Sequence, residues 1–164
     1  VVQSNSPSIF SGYWNKDKET QKKIIDGWLH TGDYATDDNE GYFYFKGRKD
    51  DLINSSGYRI GPTEIENTIL SLQEVEMVAV VGVPDELRGE IIKALIVPRE
   101  KSLLKNKNEN LKDKIKEHVK QNLAAHEYPR LIEFVKELPL TTTGKIKRNL
   151  IRKNHIEVKN ERKI

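Results

Sequence analysis

Apolar residues fall into short periodic runs that predict two amphipathic helices in the last two thirds of the chain. The first helix begins at the Pro-Thr pair at 62 and 63, because proline suits the first turn of a helix. Apolar residues then recur at intervals of three and four in both segments, which is the period of one helical face. These positions are Ile65, Ile69 and Leu72 in the first helix, and Leu111, Ile115, Val119 and Leu123 in the second.

Three further runs have the composition of strands. "VEMVAVVGVP" and "EIIKALIVP" are β-branched and end at Pro84 and Pro98, so they predict two adjacent buried strands. "PDELRGE" forms the turn between them, and "LIEFVKEL" alternates as a third strand. "KSLLKNKNENLK" is expected to be a loop in solvent, and the residues after Lys147 are expected to form a short basic helix.

The first third of the chain is rich in aromatic and turn residues. A short helix is expected over Asp17–Ile25, with Asp17 as its cap and Gly27 as its stop. The following segment predicts a β-hairpin, with a strand reaching Ala35, a polar turn ending at Gly41 and a second strand over Tyr42–Lys46. The change in character places a boundary between Gly47 and Asp51.

The predicted fold class is α+β. The order helix, two strands, helix, strand and helix favours a small three-stranded mixed sheet with helices packed on it, preceded by the hairpin. With 36% hydrophobic and 32% charged residues among 164, the core should be small and the helices well solvated.

Composition excludes several kinds of site. There is no cysteine, which removes disulfides, thiolate metal sites and cysteine nucleophiles, and a reducing cytoplasm is the expected location. The longest nearly apolar stretch, Met77–Val83, is too short to cross a bilayer, and "VVQSNSPSIF" lacks the features of a signal peptide. His30 and His118 have no ligand spacing with a second residue, so no metal site is predicted.

The net charge of +3 is unevenly distributed, since the segment from Lys145 to Lys163 holds eight Lys or Arg residues and two Glu. Such a tail is one candidate for binding nucleic acid, although no aromatic residue is interleaved for base stacking. A solvated helix with a frayed end is the expected alternative.

Four polar stretches, "HTGD", "GRKDD", "SGYR" and "TTTGK", are candidates for chemistry. Asp33 either completes a turn or accepts two hydroxyl hydrogens from a ribose, because an ionised carboxylate only accepts hydrogen bonds. Arg48 either pairs with Asp50 or Asp51 at the surface or binds sugar or phosphate oxygens, and Arg59 has the same two interpretations.

The segment "LPLTTTGKIKR" differs from the phosphate loop of nucleoside-triphosphatases in two ways. Pro139 stands where that loop needs its first glycine, and Ile146 stands where it needs a Ser or Thr. Lys145 therefore does not belong to a loop that wraps phosphates, but it remains a candidate mobile cation for an anion.

Taken in order, three segments resemble the C-terminal part of an AMP-forming acyl-CoA synthetase. They are "GWLHTGDYATDDNEGYFYFKGRKDDLINSSGYRIGPTEIE", "VVGVPDELRGE" and "ELPLTTTGKIKR". This adenylate-forming superfamily includes acyl-CoA synthetases, luciferases and peptide-synthetase adenylation domains, and the medium-chain and acetyl-type synthetases are the most similar branch. The resemblance runs from about Phe10 to Arg152.

The resemblance implies an enzyme that makes an acyl adenylate and pyrophosphate from a carboxylic acid and ATP, and then an acyl-CoA and AMP. Asp33 matches the aspartate that binds the ribose hydroxyls, and Arg48 and Arg59 match arginines that contact the nucleotide. Asp50 matches the hinge between two domains. Lys145 matches the catalytic lysine between the carboxylate and the α-phosphate.

The same resemblance implies a coenzyme A site. Ser56, Gly57 and Tyr58 match the loop that lines the coenzyme A entrance. Arg88 and Lys120 fall where medium-chain synthetases hold the coenzyme A phosphates, with a surface salt bridge as the alternative for each.

The resemblance also implies that residues 1–49 end a large, truncated N-terminal AMP-binding domain and that 50–164 form the mobile C-terminal domain. Its core covers about 50–152, followed by a basic tail at 153–164. The partners are then the carboxylic acid, ATP, coenzyme A and the N-terminal domain, which mainly binds the Mg²⁺ of ATP. Alone, the chain is expected to be inactive. The competing hypothesis is a non-catalytic module of the same fold that binds coenzyme A or a partner protein.

Overall fold

The computed structural model describes residues 1–104 and 108–161. The chain divides into two compact units, Val1–Asp50 and Asp51–Ile164, called unit 1 and unit 2 below. Within the described residues, no helix is both long and apolar enough to cross a membrane.

Unit 1 consists of one helix and five short strands. In chain order they are β1 (Val2–Gln3), α1 (Asp17–Lys23), β2 (Ile24–Ile25), β3 (Trp28–Leu29), β4 (Asp33–Asp37) and β5 (Phe43–Arg48). The first three strands form an antiparallel sheet in the order β1-β3-β2, and β4 and β5 form the predicted hairpin, with an irregularity at Tyr34/Ala35. Gly47 is the only buried residue of this unit.

The predicted helix Asp17–Ile25 is two residues too long. It ends at Lys23, because Ile24–Ile25 pairs with Trp28–Leu29 across a two-residue turn. Asp26 and Gly27 both have positive φ, 49° and 79°, which is the Asp-Gly turn that favours a hairpin. Asp17 is the first helical residue, not the cap, and Gly27 belongs to the turn and does not stop the helix.

The described residues of unit 2 contain three α-helices and five strands. They are β6 (Ile53–Ser55), β7 (Tyr58–Ile60), α2 (Pro62–Leu70), β8 (Val75–Asp85), β9 (Gly89–Pro98), α3 (Glu109–Asn122), β10 (Leu131–Phe134) and α4 (Arg148–Glu161). The predicted succession of helix, two strands, helix, strand and helix is confirmed, as is the α+β class.

The sheet of unit 2 is mixed, as predicted, but the residues that the structure describes form five strands and not three. β8 runs antiparallel to β9, β10 runs parallel to β9, and β6 joins β9 at Ser55 and pairs with β7. The additional strands β6 and β7 are three residues each. They are too short to show an alternating pattern, so their sequence resembled a loop.

Both faces of this sheet are covered, which explains why β8 and β9 are almost continuously apolar. Helices α2 and α3 cover one face through fully buried residues such as Ile65 and Ile115. Helix α4 covers the other face through Ile151, beside Leu138. Burying one such isoleucine stabilises the fold by about 1.5–3 kcal/mol.

The expected loop from Lys101 to Lys112 has more structure than predicted. It begins with a 3-10 turn at Lys101–Leu104, and α3 already begins at Glu109, where the Asn108 side chain accepts a hydrogen bond from the Leu111 amide. Residues 105–107 of that loop lie outside the described residues, as do 162–164 of the basic tail.

Candidate functional site

Asp33 and Arg48 are brought together at one end of the β4–β5 hairpin. The two residues are paired across the hairpin, and Arg48 Nη1 donates to Asp33 Oδ1 at 2.9 Å and to the Thr31 carbonyl at 2.9 Å. Arg48 is therefore an ion-pair partner of Asp33, and the prediction that it pairs with Asp50 or Asp51 is wrong. Cross-strand register determines the pairing, and this could not be read from neighbours in sequence.

Gly32 makes this pair possible. It has φ of 79°, and a Cβ built there would lie 3.0 Å from Arg48 Nη2, so a side chain would push the guanidinium away. The Asp33 amide donates to Thr31 Oγ1 at 3.2 Å, which completes the Thr-Gly turn. Asp33 Oδ2 has no hydrogen-bond partner among the described residues, and the side chain is 41% exposed, so it is open to a hydroxyl donor.

Asp50 and Asp51 are adjacent in a 3-10 turn, Lys49–Asp51, but differ in their contacts. Asp50 is exposed, and its side chain forms no hydrogen bond or ion pair with a residue that the structure describes. Asp51 forms two ion pairs: its Oδ1 lies 2.7 Å from Arg152 Nη2, and its Oδ2 lies 3.7 Å from Arg148 Nη1. The free side chain of Asp50 suits a position at which the backbone changes direction.

Ser56 and Gly57 form the two-residue turn between β6 and β7. Both have positive φ, 51° and 85°, as a tight hairpin turn with a matching twist requires. The Ser56 amide donates to the Arg88 carbonyl at 3.0 Å, so this turn lies beside the turn between β8 and β9. Three of the residues predicted for coenzyme A, Ser56, Gly57 and Arg88, are thus neighbours.

The half-buried carboxylate of Glu90 holds these two turns together. Glu90 Oε2 accepts from the Asn54 amide at 2.7 Å, and a Cβ at Gly82 would lie only 2.8 Å from that carboxylate. In the other turn, Asp85 Oδ1 accepts from the amides of Leu87 and Arg88. Neither Glu90 nor Gly82 was singled out from the sequence, because the contact joins residues 36 positions apart.

Tyr58 and Lys120 meet a segment that sequence reasoning missed. Tyr58 stacks on His126 with ring centroids 4.0 Å apart, and Lys120 Nζ lies 4.8 Å from the centre of the Tyr128 ring. Arg130 lies over the same ring and donates to the Tyr128 hydroxyl at 2.8 Å. Basic and aromatic residues alternate in "HEYPR", and this signal was present in the sequence.

The salt-bridge alternatives for three basic residues are not what the structure shows. Lys120 contacts an aromatic ring and, within the part of the chain that the structure describes, no carboxylate. The exposed Arg59 and the half-buried Arg88 have side chains without an ion pair to any residue in 1–104 or 108–161. These cations are therefore open to an anion from solution.

Lys145 lies on a tight hairpin. Leu140 and Ile146 form an isolated antiparallel bridge, and inside it the Lys145 amide donates to Thr141 Oγ1 at 3.0 Å while the Thr141 amide donates to the Lys145 carbonyl at 2.7 Å. Gly144 has φ of 81°, which closes the turn. The Lys145 side chain is exposed and has no hydrogen-bond or ion-pair partner among the described residues.

Two arginines of the basic segment from Lys145 to Lys163 form ion pairs within the fold. Arg148 Nη2 lies 2.7 Å from Glu66 Oε2, and Arg152 Nη2 lies 2.7 Å from Asp51 Oδ1. This reduces the positive charge that the helix presents to solvent, and it argues against the nucleic-acid hypothesis.

His118 hydrogen-bonds to Ser71, and His30 is exposed.

Known proteins match this chain along most of its length. The AMP-binding enzyme C-terminal domain model matches residues 64–145, half of the 164 residues. The mitochondrial acyl-coenzyme A synthetase ACSM2 of Rattus norvegicus is 47% identical over 145 residues, which is 88% of this chain and 25% of the relative. The human mitochondrial acyl-coenzyme A synthetase ACSM1 is 45% identical over 89% of this chain and 25% of its own length.

Solved structures agree in fold. The anthranilate CoA ligase AuaEII in complex with anthranoyl-AMP has a TM-score of 0.79 and 35% identity, over 91% of this chain and 28% of that one. ATP-bound MatB from Rhodopseudomonas palustris has a TM-score of 0.76 and 29% identity, over 94% of this chain and 30% of that one. The chain spans about a quarter of the length of the relatives it matches. The resemblance found in the sequence is confirmed, and the chain belongs to the family of AMP-binding enzyme C-terminal domains.

Proposed function

We propose that this chain is the C-terminal portion of an ATP-dependent, AMP-forming acyl-CoA ligase that acts on a short- or medium-chain fatty acid. The relatives named acyl-coenzyme A synthetases support this, as does a neighbour that binds an acyl adenylate. In this proposal residues 1–49 end the large AMP-binding domain and 50–164 form the mobile C-terminal domain, with Asp50 as the hinge.

The observation that carries the proposal is the state of Lys145, an exposed ammonium without a described partner on a hairpin closed by Thr141. In adenylation the carboxylate oxygen attacks the α-phosphorus of ATP, and the bond to pyrophosphate breaks. Both reactants are anions, and negative charge grows on the phosphoryl oxygens. A cation fixed at that position stabilises the growing charge, and the hairpin supplies the fixation.

Asp33 and Arg48 are proposed to bind the nucleotide as a pair. Arg48 holds Asp33 through Oδ1, which leaves Oδ2 to accept from a ribose hydroxyl. The Arg48 side chain is 46% exposed, and its guanidinium keeps other donors for phosphate or sugar oxygens. Arg59, exposed on β7, is proposed to meet a nucleotide phosphate.

Coenzyme A is proposed to pass the Ser56–Gly57 turn. Apart from its chain neighbours, no described residue has an atom within 4 Å of a Cβ built at Gly57, so the backbone is open to a narrow ligand arm. Tyr58 borders the turn, and Arg88 and Lys120 supply cations for the phosphates. Mg²⁺ is expected to reach the site with ATP, held mainly by the rest of the enzyme.

The cellular location belongs to the same proposal. Composition predicts the cytoplasm, whereas the relatives are described as mitochondrial. Fractionation of cells that express the full-length protein decides between the two compartments.

The test uses the full-length product in which this chain is the C-terminal portion. Lys145→Ala should slow carboxylate-dependent ATP–pyrophosphate exchange by roughly 10²- to 10³-fold, because one charge-stabilising group is lost. Formation of the thioester from supplied acyl adenylate and coenzyme A should be largely unchanged, since the phosphoryl step is complete.

Lys147→Ala is the matched control, because it removes the same charge two residues away and should leave exchange close to wild type. Equal loss of both half-reactions in Lys145→Ala contradicts the role of Lys145. A full-length protein that catalyses neither half-reaction but binds coenzyme A supports the non-catalytic module instead.

A further inference from the structure

Glu66 is a buried carboxylate that the proposed chemistry does not use. It lies on α2 with 10% of its side chain exposed. Its Oε1 accepts from the Val80 amide of β8 at 2.8 Å, and both oxygens accept from Arg148 Nη2, at 2.8 and 2.7 Å. A buried carboxylate needs such partners, because an unpaired charge in the interior is costly. Glu66 thus joins three elements, α2, β8 and α4.

Arg148 extends this interaction to Asp51. Its Nη1 lies 3.7 Å from Asp51 Oδ2, and Arg152 lies 2.7 Å from Asp51 Oδ1. Asp51, Arg148 and Arg152 each have about a fifth of their side chain exposed. The residue that follows the proposed hinge at Asp50 is therefore fastened to the first turns of α4.

Arg148 is also the first residue of α4, and the Lys145 hairpin ends directly before it. The base of the hairpin is closed by the Lys147 amide, which donates to the Pro139 carbonyl at 2.8 Å. Beyond the base, the polar contacts of the hairpin are internal, between Thr141 and its neighbours. The direction in which Lys145 projects thus depends on Leu138 and Ile146, which pack on the sheet, and on the placement of Arg148.

We propose that Arg148 is a positioning residue for Lys145. Held by Glu66 and Asp51, it fixes the first turn of α4, and with it the base of the hairpin and the path of the Lys145 side chain. Because Arg148 also contacts Asp51, the Lys145 hairpin should move together with Asp51, the residue next to the hinge. This inference rests on the proposed role of Lys145 in adenylation.

The guanidinium is suited to this task because its planar fork contacts Glu66 and Asp51 at once. A lysine is a single point charge on a flexible stem and cannot reproduce that geometry. A substitution far from the reacting atoms that misplaces a catalytic group by about 1 Å is sufficient to slow a reaction on the order of 10²-fold.

The experiment compares Arg148→Lys, Arg148→Gln and Glu66→Gln in the full-length product with a control, Lys153→Gln. Lys153 lies on the same helix, but its side chain is 73% exposed, and among the described residues it pairs only with Glu157. For Arg148→Lys we expect kcat of ATP–pyrophosphate exchange to fall about 10- to 100-fold, with KM for ATP and the acid little changed. The rate of thioester formation from supplied acyl adenylate should stay near wild type.

A second measurement on the isolated chain is independent of activity. In Arg148→Lys, hydrogen exchange at the Lys147 amide should become about 10-fold faster or more, because the base of the hairpin opens locally. Exchange at the amides of β8 should change much less. Lys153→Gln should leave both sets unchanged. The exchange measurement on Arg148→Lys remains informative if Arg148→Gln does not fold.

Three results would overturn the inference. They are an unchanged kcat in Arg148→Lys, an equal loss in both half-reactions, or unchanged exchange at Lys147. The Lys145→Ala variant distinguishes a failure of the positioning role of Arg148 from a failure of the proposed function. If Lys145→Ala is selective for adenylation and Arg148→Lys is not, only the positioning role is wrong. If Lys145→Ala slows both half-reactions equally, the proposed chemistry is wrong. Hydrogen exchange at the Lys147 amide then remains the test of whether Arg148 holds the base of the hairpin.

Discussion

The two units of this chain differ in how much buried core supports their candidate residues. In unit 1 the Asp33–Arg48 pair lies on a two-stranded hairpin in which every residue except Gly47 is at least partly exposed. In unit 2 the Lys145 hairpin is rooted in a sheet with apolar clusters on both faces. The first arrangement depends on local register and the second on a core.

Exposed aromatic side chains make the contrast sharper. Phe43 and Phe45 of β5 are 77% and 60% exposed, and Trp14 is 89% exposed, whereas Ile65 and Ile115 of unit 2 are fully buried. A two-stranded hairpin with its aromatic residues in water gains little from burial and is only marginally stable. Unit 1 therefore positions the Asp33–Arg48 pair without a core of its own, which is consistent with our proposal that it ends a larger domain.

The largest expected effect comes from separating the units. The truncated chain 51–164 should unfold cooperatively, with a midpoint within about 4 °C of the whole chain, because its core is complete. Residues 1–50 alone should show no cooperative transition. Thermal unfolding followed by far-UV circular dichroism makes both measurements.

The whole chain contains an internal control, because both tryptophans, Trp14 and Trp28, lie in unit 1. Tryptophan fluorescence should lack the cooperative transition that circular dichroism detects in unit 2. Coincident transitions by both probes would mean that the units unfold together, and the contrast drawn above would be incorrect.

A smaller effect should distinguish one apolar residue in each unit. Ile115→Ala should lower the free energy of unfolding by about 2–5 kcal/mol, because it removes buried atoms and leaves a cavity. Phe45→Ala should change it by less than about 0.5 kcal/mol, since the ring is already 60% exposed. Urea titrations of both variants give the two values. A loss of similar size for Phe45→Ala would show that unit 1 contributes to the same cooperative core.

The long elements of unit 2 could be predicted because their sequence patterns repeat. The apolar residues of α3 recur every four positions, and β8 and β9 are β-branched runs between turns. The strands β6 and β7 were missed because three residues cannot show a period. The Asp26–Gly27 turn was missed because the helical pattern before it was extended across a hairpin signal.

The candidate site was harder to predict because its contacts join residues far apart in sequence. Resemblance singled out Asp33 and Arg48 separately, but their pairing follows from strand register. Glu66 and Arg148 are 82 positions apart, and nothing in either local sequence indicates the other. Tyr128 is the exception, because "HEYPR" shows the mixture of aromatic and basic residues that the structure places under Lys120.

The smallest expected effect is on the pH dependence of stability, and it should distinguish one carboxylate in each unit. The hydrogen bond from Lys114 lowers the pKa of Glu74 below its ordinary 4.5, and the hydrogen bond from Lys22 does the same for the pKa of Glu19. The Glu74 pair joins α3 to the segment before β8, 40 positions apart, whereas the Glu19 pair lies within one helix. Only the first pair should be coupled to the unfolding of a core.

A pKa that is lower in the folded state contributes stability above the unfolded pKa and loses it as the pH falls through the folded value. Glu74→Gln should therefore lower the stability of the chain by about 0.2–1 kcal/mol at pH 7, and this difference should vanish as the pH falls well below 4.5. Glu19→Gln should leave the same transition unchanged at every pH. Urea titrations between pH 3 and pH 7 measure both differences. A pH-independent loss in Glu74→Gln, or an equal loss in Glu19→Gln, would contradict the claim that only the Glu74 pair is coupled to the unfolding of the core.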